Sequence, residues 1–194
     1  MTRILVFAGS ARRDSLNKKL ARAAARSARE AGAEATFVDL DEFPIPLYHG
    51  DLEATSGMPE NAVKLRALFL DHDALLIASP ENNASMTALL KNTIDWLSRD
   101  VGDGKGASSG LAPWKGKVAG LMAASPGGFG GIRALPHLRQ VLSALGVTVL
   151  GTQVAVPKAH EVFAADGSIA DERVAKSVRT LAAAVADASR KLKG

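Results

Sequence analysis

The chain has 194 residues, 47% of them hydrophobic, so its length suits one α/β-sized domain, residues 1–194, with a sizeable core. It contains no cysteine, which excludes disulfides, thiolate metal sites and cysteine catalysis. Lysine and arginine exceed aspartate and glutamate by 24 to 20. This mild excess is spread along the chain without an aromatic-interleaved basic patch, so nucleic-acid binding is not expected and anionic small ligands account for the charge.

The N-terminal segment bears on location. Its apolar stretch, Ile4 to Ala8, is too short for the core of a signal peptide and resembles a buried strand. No stretch of the sequence approaches transmembrane length. We therefore expect a cytoplasmic protein that does not bind membranes.

Apolar, β-branched runs alternate along the chain with helical patterns, which is typical of a parallel sheet with crossover helices. Five strands are predicted, each nearly continuous in apolar character. They are Arg3–Ala8, Ala35–Leu40, Ala74–Ser79, Val118–Ala124 and Val147–Val156.

Helices are predicted between the strands. The first runs from Leu16 to Ala31 before Gly32, and the second from Glu60 to Leu70. Apolar stripes mark three more. These stripes are Met86, Leu90, Ile94 and Leu97; Ile132, Leu135, Leu138, Leu142 and Leu145; and Val174, Val178, Leu181, Val185, Ala188 and Leu192, the last facing the core or another subunit.

Five strands with right-handed crossovers predict a three-layer α/β/α sandwich whose parallel sheet has the flavodoxin-like order 2-1-3-4-5. In such a fold the ligand lies at the carboxyl ends of the strands, near the point where the strand order reverses. The loops after strands one, three and four should converge there. They are the three most unusual segments of the sequence.

The first loop, Gly9 to Asn17 (GSARRDSLN), has the composition of a phosphate site. The first N–H groups of the helix that follows lack intrahelical acceptors, and the helix dipole favours an anion there. Ser10, Ser15 and Asn17 add donors and Arg12 and Arg13 add charge; Leu16 opens the helix. The loop is neither a Walker A nor a G-x-G-x-x-G turn, which favours a phosphomonoester over a pyrophosphate. The alternative is that Ser15 only caps the helix and the arginines are solvated.

The second loop, Ser79 to Ser85 (SPENNAS), offers polar groups to the same crevice. Pro80 forces an extended backbone just after the strand, and Glu81, Asn82 and Asn83 follow with polar side chains. The alternative is structural: asparagine and serine here are also typical of an Asx turn and a helix cap.

The third loop, Ala124 to Gly131 (ASPGGFGG), is rich in glycine. Ser125, Pro126, Gly127 and Gly128 are expected to lie against a flat ligand, where the glycines bring backbone N–H groups close, since glycine permits positive φ and leaves no side chain in the way. The alternative is a flexible connection. Three such loops at one end of a sheet favour a binding site.

These motifs together resemble the NADPH-dependent FMN reductase family, the flavodoxin-like group that includes bacterial quinone, chromate and azo-dye reductases. The resemblance covers nearly the whole chain. The phosphate loop of the family matches Gly9, Ser10, Arg12, Ser15 and Asn17, and the family's loop after strand two matches Phe43 to Tyr48 (FPIPLY). The further matches are Pro80, Glu81 and Asn83; Leu90 to Asn92; Ile94 to Trp96; Ser125, Gly130 and Gly131; and His137 to Gln140.

The resemblance implies a noncovalent FMN that is reduced by NADPH or NADH and passes two electrons to a quinone, flavin or similar small acceptor, with ping-pong kinetics and a homodimer or homotetramer. The phosphate would lie among Ser10, Arg12, Ser15, Asn17 and the helix N–H groups, and the flavin ring edge against Pro80–Asn83 and Ser125–Gly128. No catalytic side chain is expected, because the cofactor supplies the chemistry. The histidines lack metal-ligand spacing, so no metal site is expected.

The sequence departs from the family pattern mainly in the second loop. Asn82 stands where the family usually has tyrosine, which puts flavin affinity and acceptor preference in question, and Ala84 stands where glycine is frequent. Thr87 and Ala88 replace a proline-glycine pair. The stretch Asp100 to Lys117 is longer and richer in glycine and serine than usual, and we expect it to be disordered or a lid.

Two other classes of function remain open from the sequence. A flavodoxin-type electron carrier would share the fold and the cofactor, but such carriers use acidic docking surfaces and this chain is basic. A flavin-free interaction protein on the same scaffold would explain the altered second loop. Flavin content and NAD(P)H turnover would separate these alternatives from an enzyme.

Overall fold

One sheet of five parallel strands, in the order β2-β1-β3-β4-β5, forms the centre of the molecule, as the sequence predicts. The structure is a computed structural model and describes residues 1–100 and 110–193. The strands are β1 Arg3–Ala8, β2 Glu34–Asp39, β3 Ala74–Ala78, β4 Val118–Ala124 and β5 Thr148–Val156.

Helices cover both faces of the sheet and connect successive strands. They are α1 Leu16–Glu30, α2 Gly50–Ser56, α3 Glu60–Asp71, α4 Ala88–Leu97, α5 Ala134–Ala144 and α6 Glu172–Lys193. Single 3₁₀ turns follow β2 and β5, at Leu40–Glu42 and Ala159–Glu161. None of the helices in the described part of the chain is long and apolar enough to cross a membrane.

The strands divide their side chains between two apolar layers, because successive residues of a strand point to opposite faces. On β1, Ile4 and Val6 face the layer formed with α1 and α6, whereas Leu5 and Phe7 face the layer formed with α3, α4 and α5. All four side chains are essentially fully buried. This double burial is why the strands appear in the sequence as continuous apolar runs.

Helix α1 packs closely on the sheet because its inner face is mostly alanine. It also carries Lys18, which is only 2% exposed. The Lys18 Nζ lies 2.7 Å from Asp39 Oδ1 at the end of β2, so a buried ion pair joins the helix to the neighbouring strand. Arg22 reaches the other carboxylate oxygen of Asp39 at 3.8 Å and lies over the Phe37 ring.

The loop after β2 is anchored on α4 by polar groups from one helix face. Asn92 Nδ2 and Trp96 Nε1 both donate to the Pro46 carbonyl, at 2.9 and 2.8 Å. The Tyr48 N–H donates to Asn92 Oδ1 at 2.7 Å. The Asn92 and Trp96 positions recognised in the sequence therefore hold this loop in place.

Three sequence-based expectations are corrected by the structure. Ile132 is not part of the α5 stripe: it lies in the turn before the helix and is 43% exposed. Met86 likewise precedes α4, which is capped by Thr87. The short helix α2 was not predicted at all, because its seven residues carry no apolar stripe.

The predicted disorder of Asp100 to Lys117 is wrong for its second half. Trp114 is fully buried and packs on Phe69 with a ring-centroid distance of 4.9 Å. An indole buried in the core fixes the backbone on both sides of it. Residues 101–109 lie outside the described part of the chain.

Candidate functional site

A cleft of about 400 Å³ lies at the carboxyl ends of β1, β3 and β4, where the loops after these strands converge. Its volume is within the usual range for small-molecule and cofactor sites. All three loops singled out in the sequence contribute to its walls. The lining residues are Gly9, Ser10, Ala11, Arg12, Ser15, Leu16, Asn17, Pro80, Glu81, Asn82, Thr87, Ala88, Leu89, Ala124, Ser125 and Pro126.

The first loop lines this cleft with hydrogen-bond donors at the start of α1. Ser15 caps α1, its Oγ accepting a hydrogen bond from the Lys18 N–H at 3.3 Å. The alternative that Ser15 is a cap is therefore correct, but its own hydroxyl hydrogen remains available for donation. Within the described residues, no acceptor receives the N–H groups of Leu16 and Asn17 in the first turn.

Arg12 adds charge to the same part of the cleft. Its side chain is exposed and, among the described residues, makes no hydrogen bond or ion pair. The Ser10 Oγ accepts from the Arg12 N–H at 3.3 Å, which fixes the turn while leaving its hydroxyl hydrogen free. Unpaired N–H groups, two hydroxyls and a guanidinium at a helix N-terminus form a donor set that fits a phosphate.

Asn17 lines the cleft, but its side chain has a structural role that the sequence did not reveal. Its Nδ2 donates to the Ala124 carbonyl at 2.8 Å, and its Oδ1 accepts from the Ala124 N–H at 2.9 Å. Strand β3 ends at Ala78, opposite Met122, so it offers no partner to the backbone of Ala124 on that side of β4. The Asn17 amide takes the place of that partner. One amide hydrogen and the amide oxygen of Asn17 are thus engaged with Ala124, whereas the backbone N–H of Asn17 has no acceptor within the described residues.

The second loop contains a tight two-residue turn. The backbones of Asn82 and Ser85 exchange two hydrogen bonds, of 2.9 and 3.0 Å. Asn83 and Ala84 between them have φ values of +49° and +62°, the left-handed conformation at both central positions. This is the geometry of a type I′ turn, for which Asn-Gly is the favoured pair. The structural alternative is therefore only partly right: this loop is a turn, but backbone hydrogen bonds close it and no Asx side-chain hydrogen bond is found within the described residues, and the residue that caps α4 is Thr87.

Replacing Ala84 by glycine is expected to stabilise the protein by roughly 0.5–1 kcal/mol. The left-handed conformation costs an L-residue about 1–2 kcal/mol, and part of the gain is offset because glycine loses more conformational entropy on folding. The same change restores the residue that is frequent in the resembling family. Urea unfolding of both proteins measures the difference.

The matched control is Gly32→Ala, which makes the opposite change at a site with φ +77° where an added Cβ would meet no atom within 4 Å. It should destabilise the protein by about 1 kcal/mol. If Ala84→Gly and Gly32→Ala shifted stability in the same direction, backbone strain at Ala84 would be contradicted.

Glu81 and Arg133 clamp the second loop to the segment entering α5. The Glu81 carboxylate accepts from the Arg133 N–H at 3.0 Å and from its Nε at 2.7 Å. These hydrogen bonds from Arg133 lower the pKa of Glu81, whose side chain is only 8% exposed. Because the folded-state pKa is lowered, the clamp is complete above the ordinary glutamate pKa and is lost as the pH falls through the lowered value.

The third loop needs glycine at positions other than those expected. Gly127 and Gly128 do not have positive φ, and a Cβ at Gly128 would meet no atom within 4 Å. Gly130 and Gly131 do have positive φ, +62° and +82°. A Cβ at Gly130 would lie 2.7 Å from the Val156 and Pro157 backbone. The glycines therefore let the loop pass against the end of β5, which is a packing requirement.

The structure brings most of the predicted site residues together. Asn83, Gly127 and Gly128 are the predicted residues that do not line the cleft. Six lining residues were not among the predicted site residues, although Gly9 had been matched to the phosphate loop of the family: Gly9, Ala11, Thr87, Ala88, Leu89 and Ala124. Thr87 and Ala88 had been noticed only as a departure from the family pattern. The other four carry no polar side chain that could have indicated a site.

Comparison with known proteins identifies relatives of this chain. Residues 2–161 match the family of NADPH-dependent FMN reductases. A 2-hydroxy-1,4-benzoquinone reductase of a Burkholderia species is 36% identical over 179 residues, 92% of this chain and 91% of that protein. An NAD(P)H-dependent FMN reductase of Pseudomonas aeruginosa is 37% identical over 151 residues, 77% of this chain and 76% of that protein.

A solved structure extends the likeness to the fold. The flavoenzyme FerB of Paracoccus denitrificans, an NAD(P)H:(acceptor) oxidoreductase, superimposes with a TM-score of 0.82 and is 32% identical, covering 98% of each chain.

Proposed function

Because this chain belongs to the NADPH-dependent FMN reductase family, we propose that it is an FMN-containing oxidoreductase that transfers two electrons from NAD(P)H to a small acceptor. The relatives named as quinone reductases favour a quinone as that acceptor. The proposal applies to residues 1–194 as one flavodoxin-like FMN-binding domain. A flavin-free interaction protein is not favoured, since the donor set of the cleft is retained in this chain.

The observation that carries the proposal is the set of unused donors at the start of α1. The N–H groups of Leu16 and Asn17 have no acceptor within the described residues, and they open into the cleft beside Arg12. Unpaired N–H groups and a guanidinium at a helix N-terminus attract a dianion. FMN ends in such a group, a phosphomonoester, whereas FAD would place a bridging pyrophosphate there.

The protein would bind and orient the reactants, and FMN, when bound, would supply the redox chemistry, namely hydride acceptance from NAD(P)H and two-electron donation to the acceptor. Ser10, Arg12 and Ser15 hold the phosphate end of the cleft. Pro80–Asn82 and Ala124–Pro126 also line the cleft, where we propose that the flavin ring lies. No side-chain acid or base is required of this chain. Donor and acceptor enter the same cleft in turn, so ping-pong kinetics are expected.

Asn82 gives this cleft a different wall from that of its family. Its side chain is exposed, lines the cleft and makes no hydrogen bond within the described part of the chain. Asparagine leaves more space than tyrosine and adds an amide that can hydrogen-bond a carbonyl acceptor. We propose that this position widens the range of quinones accepted.

The direct test combines flavin content with turnover. The purified protein should carry FMN, or bind it when it is added, and should oxidise NAD(P)H with a quinone, giving parallel double-reciprocal lines. Bound FMN without NAD(P)H oxidation would indicate an electron carrier instead. Absence of both properties would indicate an interaction protein.

Removing the charge of Arg12 tests the phosphate site. Arg12→Gln is expected to weaken FMN binding about tenfold or more, because one charge-assisted hydrogen bond to a dianion is worth about 1.5–3 kcal/mol. Fluorescence titration of the flavin-free protein with FMN measures the dissociation constant. Riboflavin, which lacks the phosphate, should bind parent and variant equally.

Arg13→Gln is the matched control for this experiment. Arg13 is the adjacent exposed arginine, but it does not line the cleft. Its replacement should leave FMN affinity within about twofold of the parent, since long-range charge effects at the surface are screened by salt. Equal losses in the two variants would mean that overall charge, and not a phosphate contact, controls FMN binding.

We further propose a homodimer or homotetramer in the cytoplasm, as the family resemblance and the cysteine-free sequence suggest. Analytical ultracentrifugation at several protein concentrations would measure the assembly state.

A further inference from the structure

A second, basic recess of about 230 Å³ lies on the far side of Ser15 from the FMN cleft. Its basic residues are Arg13 in the first loop and Lys19, Arg22 and Arg26 on α1, the last three at positions i, i+3 and i+7 on one helix face. The 165–167 segment forms the opposite wall. Since Ser15 lines both sites, the recess is directly next to the phosphate end of the cleft.

Not all the charges around this recess are equally available. Arg22 is engaged with Asp39 and the Phe37 ring. Arg26 interacts electrostatically with Asp166, whose carboxylate also accepts hydrogen bonds from the Ser168 N–H and hydroxyl.

Arg13 and Lys19 are different from these two. Within the described residues, neither side chain makes a hydrogen bond or an ion pair. Asp14 is the other acidic residue that lines the recess, so the lining holds four basic and two acidic side chains, Asp14 and Asp166. The recess therefore has an excess positive charge centred on two uncommitted cations.

We propose that this recess binds the 2′-phosphate of NADPH and makes the protein prefer NADPH to NADH. The inference rests on the proposed function, since it assumes a nicotinamide donor in the cleft. A phosphomonoester dianion matches the charge of the recess, and Arg13 and Lys19 offer donors suited to phosphate oxygens. A recess of this size holds a phosphate and part of a ribose but not a whole dinucleotide. The remainder of the donor would extend from the recess toward the open face of the cleft, beside the residues that hold the FMN phosphate.

The first experiment compares Arg13→Gln, Lys19→Gln and the double variant with the parent. The double variant should raise KM for NADPH at least tenfold and change KM for NADH less than twofold, with FMN content unchanged. Lys64→Gln, on α3 at the opposite face of the sheet, removes one positive charge elsewhere and should alter neither constant. Equal changes in the two KM values, or a parent that prefers NADH, would overturn the proposal.

A second experiment does not depend on turnover. Calorimetric titration of the FMN-loaded parent with adenosine 2′,5′-bisphosphate should give binding at least tenfold tighter than with adenosine 5′-monophosphate, and the double variant should lose this difference. Inorganic phosphate that competes as strongly as the bisphosphate would show a general anion site and overturn the assignment to the nucleotide. If the protein oxidised neither donor, the proposed function would fail, while this titration would still test the recess.

Discussion

Replacement of Asn17 by alanine is expected to lower the free energy of unfolding by about 2–5 kcal/mol, because it leaves the N–H and carbonyl of Ala124 without partners in a buried site. Ala124 is only 4% exposed, so water cannot readily replace the lost amide. The same change should weaken FMN binding, since Ala124 and Ser125 form a wall of the cleft. Urea unfolding of the flavin-free protein separates the stability effect from loss of ligand.

Two variants make this result specific. Asn61→Ala removes a single amide hydrogen bond, to the Pro44 carbonyl, near the surface and should cost less than about 1 kcal/mol. Asn17→Asp keeps an acceptor for the Ala124 N–H but turns a carboxylate toward its carbonyl, so it should be no more stable than Asn17→Ala. If flavin-free Asn17→Ala had normal stability but bound FMN more weakly, the structural role of Asn17 would be contradicted. Its amide would then be a hydrogen-bond donor to the FMN phosphate.

Asp39→Ala is expected to destabilise the protein by about 3–5 kcal/mol, because it leaves the Lys18 ammonium buried without its counter-charge. The Lys18 side chain is 3% exposed and that of Asp39 is 14% exposed, so solvent cannot replace the carboxylate. The loss should be measurable by urea unfolding at neutral pH. A change of this size would show that the buried ion pair holds α1 against β2.

The double variant Lys18→Met, Asp39→Leu should recover most of that loss, since a well-packed apolar pair of similar volume often replaces a buried ion pair with little cost. Asp95→Ala breaks the exposed Lys91–Asp95 pair and should cost less than about 1 kcal/mol. If Asp39→Ala were as mild as Asp95→Ala, the buried pair would not contribute to holding α1 against β2.

Most of the fold could be predicted from the sequence. Strands buried on both faces must be apolar throughout, and parallel strands joined by helices must cross over with a right hand, so local runs and a general rule predicted a doubly wound parallel sheet. Five strands in a chain of this size favoured the order 2-1-3-4-5 among the doubly wound orders. β1 and β4 were predicted to the residue, and β2 is displaced by one. Helix α2 was missed because seven residues without an apolar stripe give no periodic signal.

The position of the candidate site could also be predicted, because the carboxyl ends of parallel strands meet at one edge of the sheet. The roles of individual side chains could not. A carboxamide suits a phosphate and a backbone peptide group equally, and the Asn17 partner, Ala124, is 107 positions away. Similarly, glycine content does not show which glycine passes against another strand, and the structure assigns that constraint to Gly130.

By itself, the sequence determined that this protein has a doubly covered parallel sheet, a candidate phosphate turn at the start of α1 and the motifs of its family, because each depends on residues close together in the chain. Only the tertiary structure decided that Asn17 completes the edge of β4, that Trp114 is in the core, and that Arg13 and Lys19 face the 165–167 segment across a recess. These contacts join residues far apart in sequence. Their energies depend on which surfaces the fold brings together and on how well it excludes water from them. Neither can be predicted from a local sequence pattern.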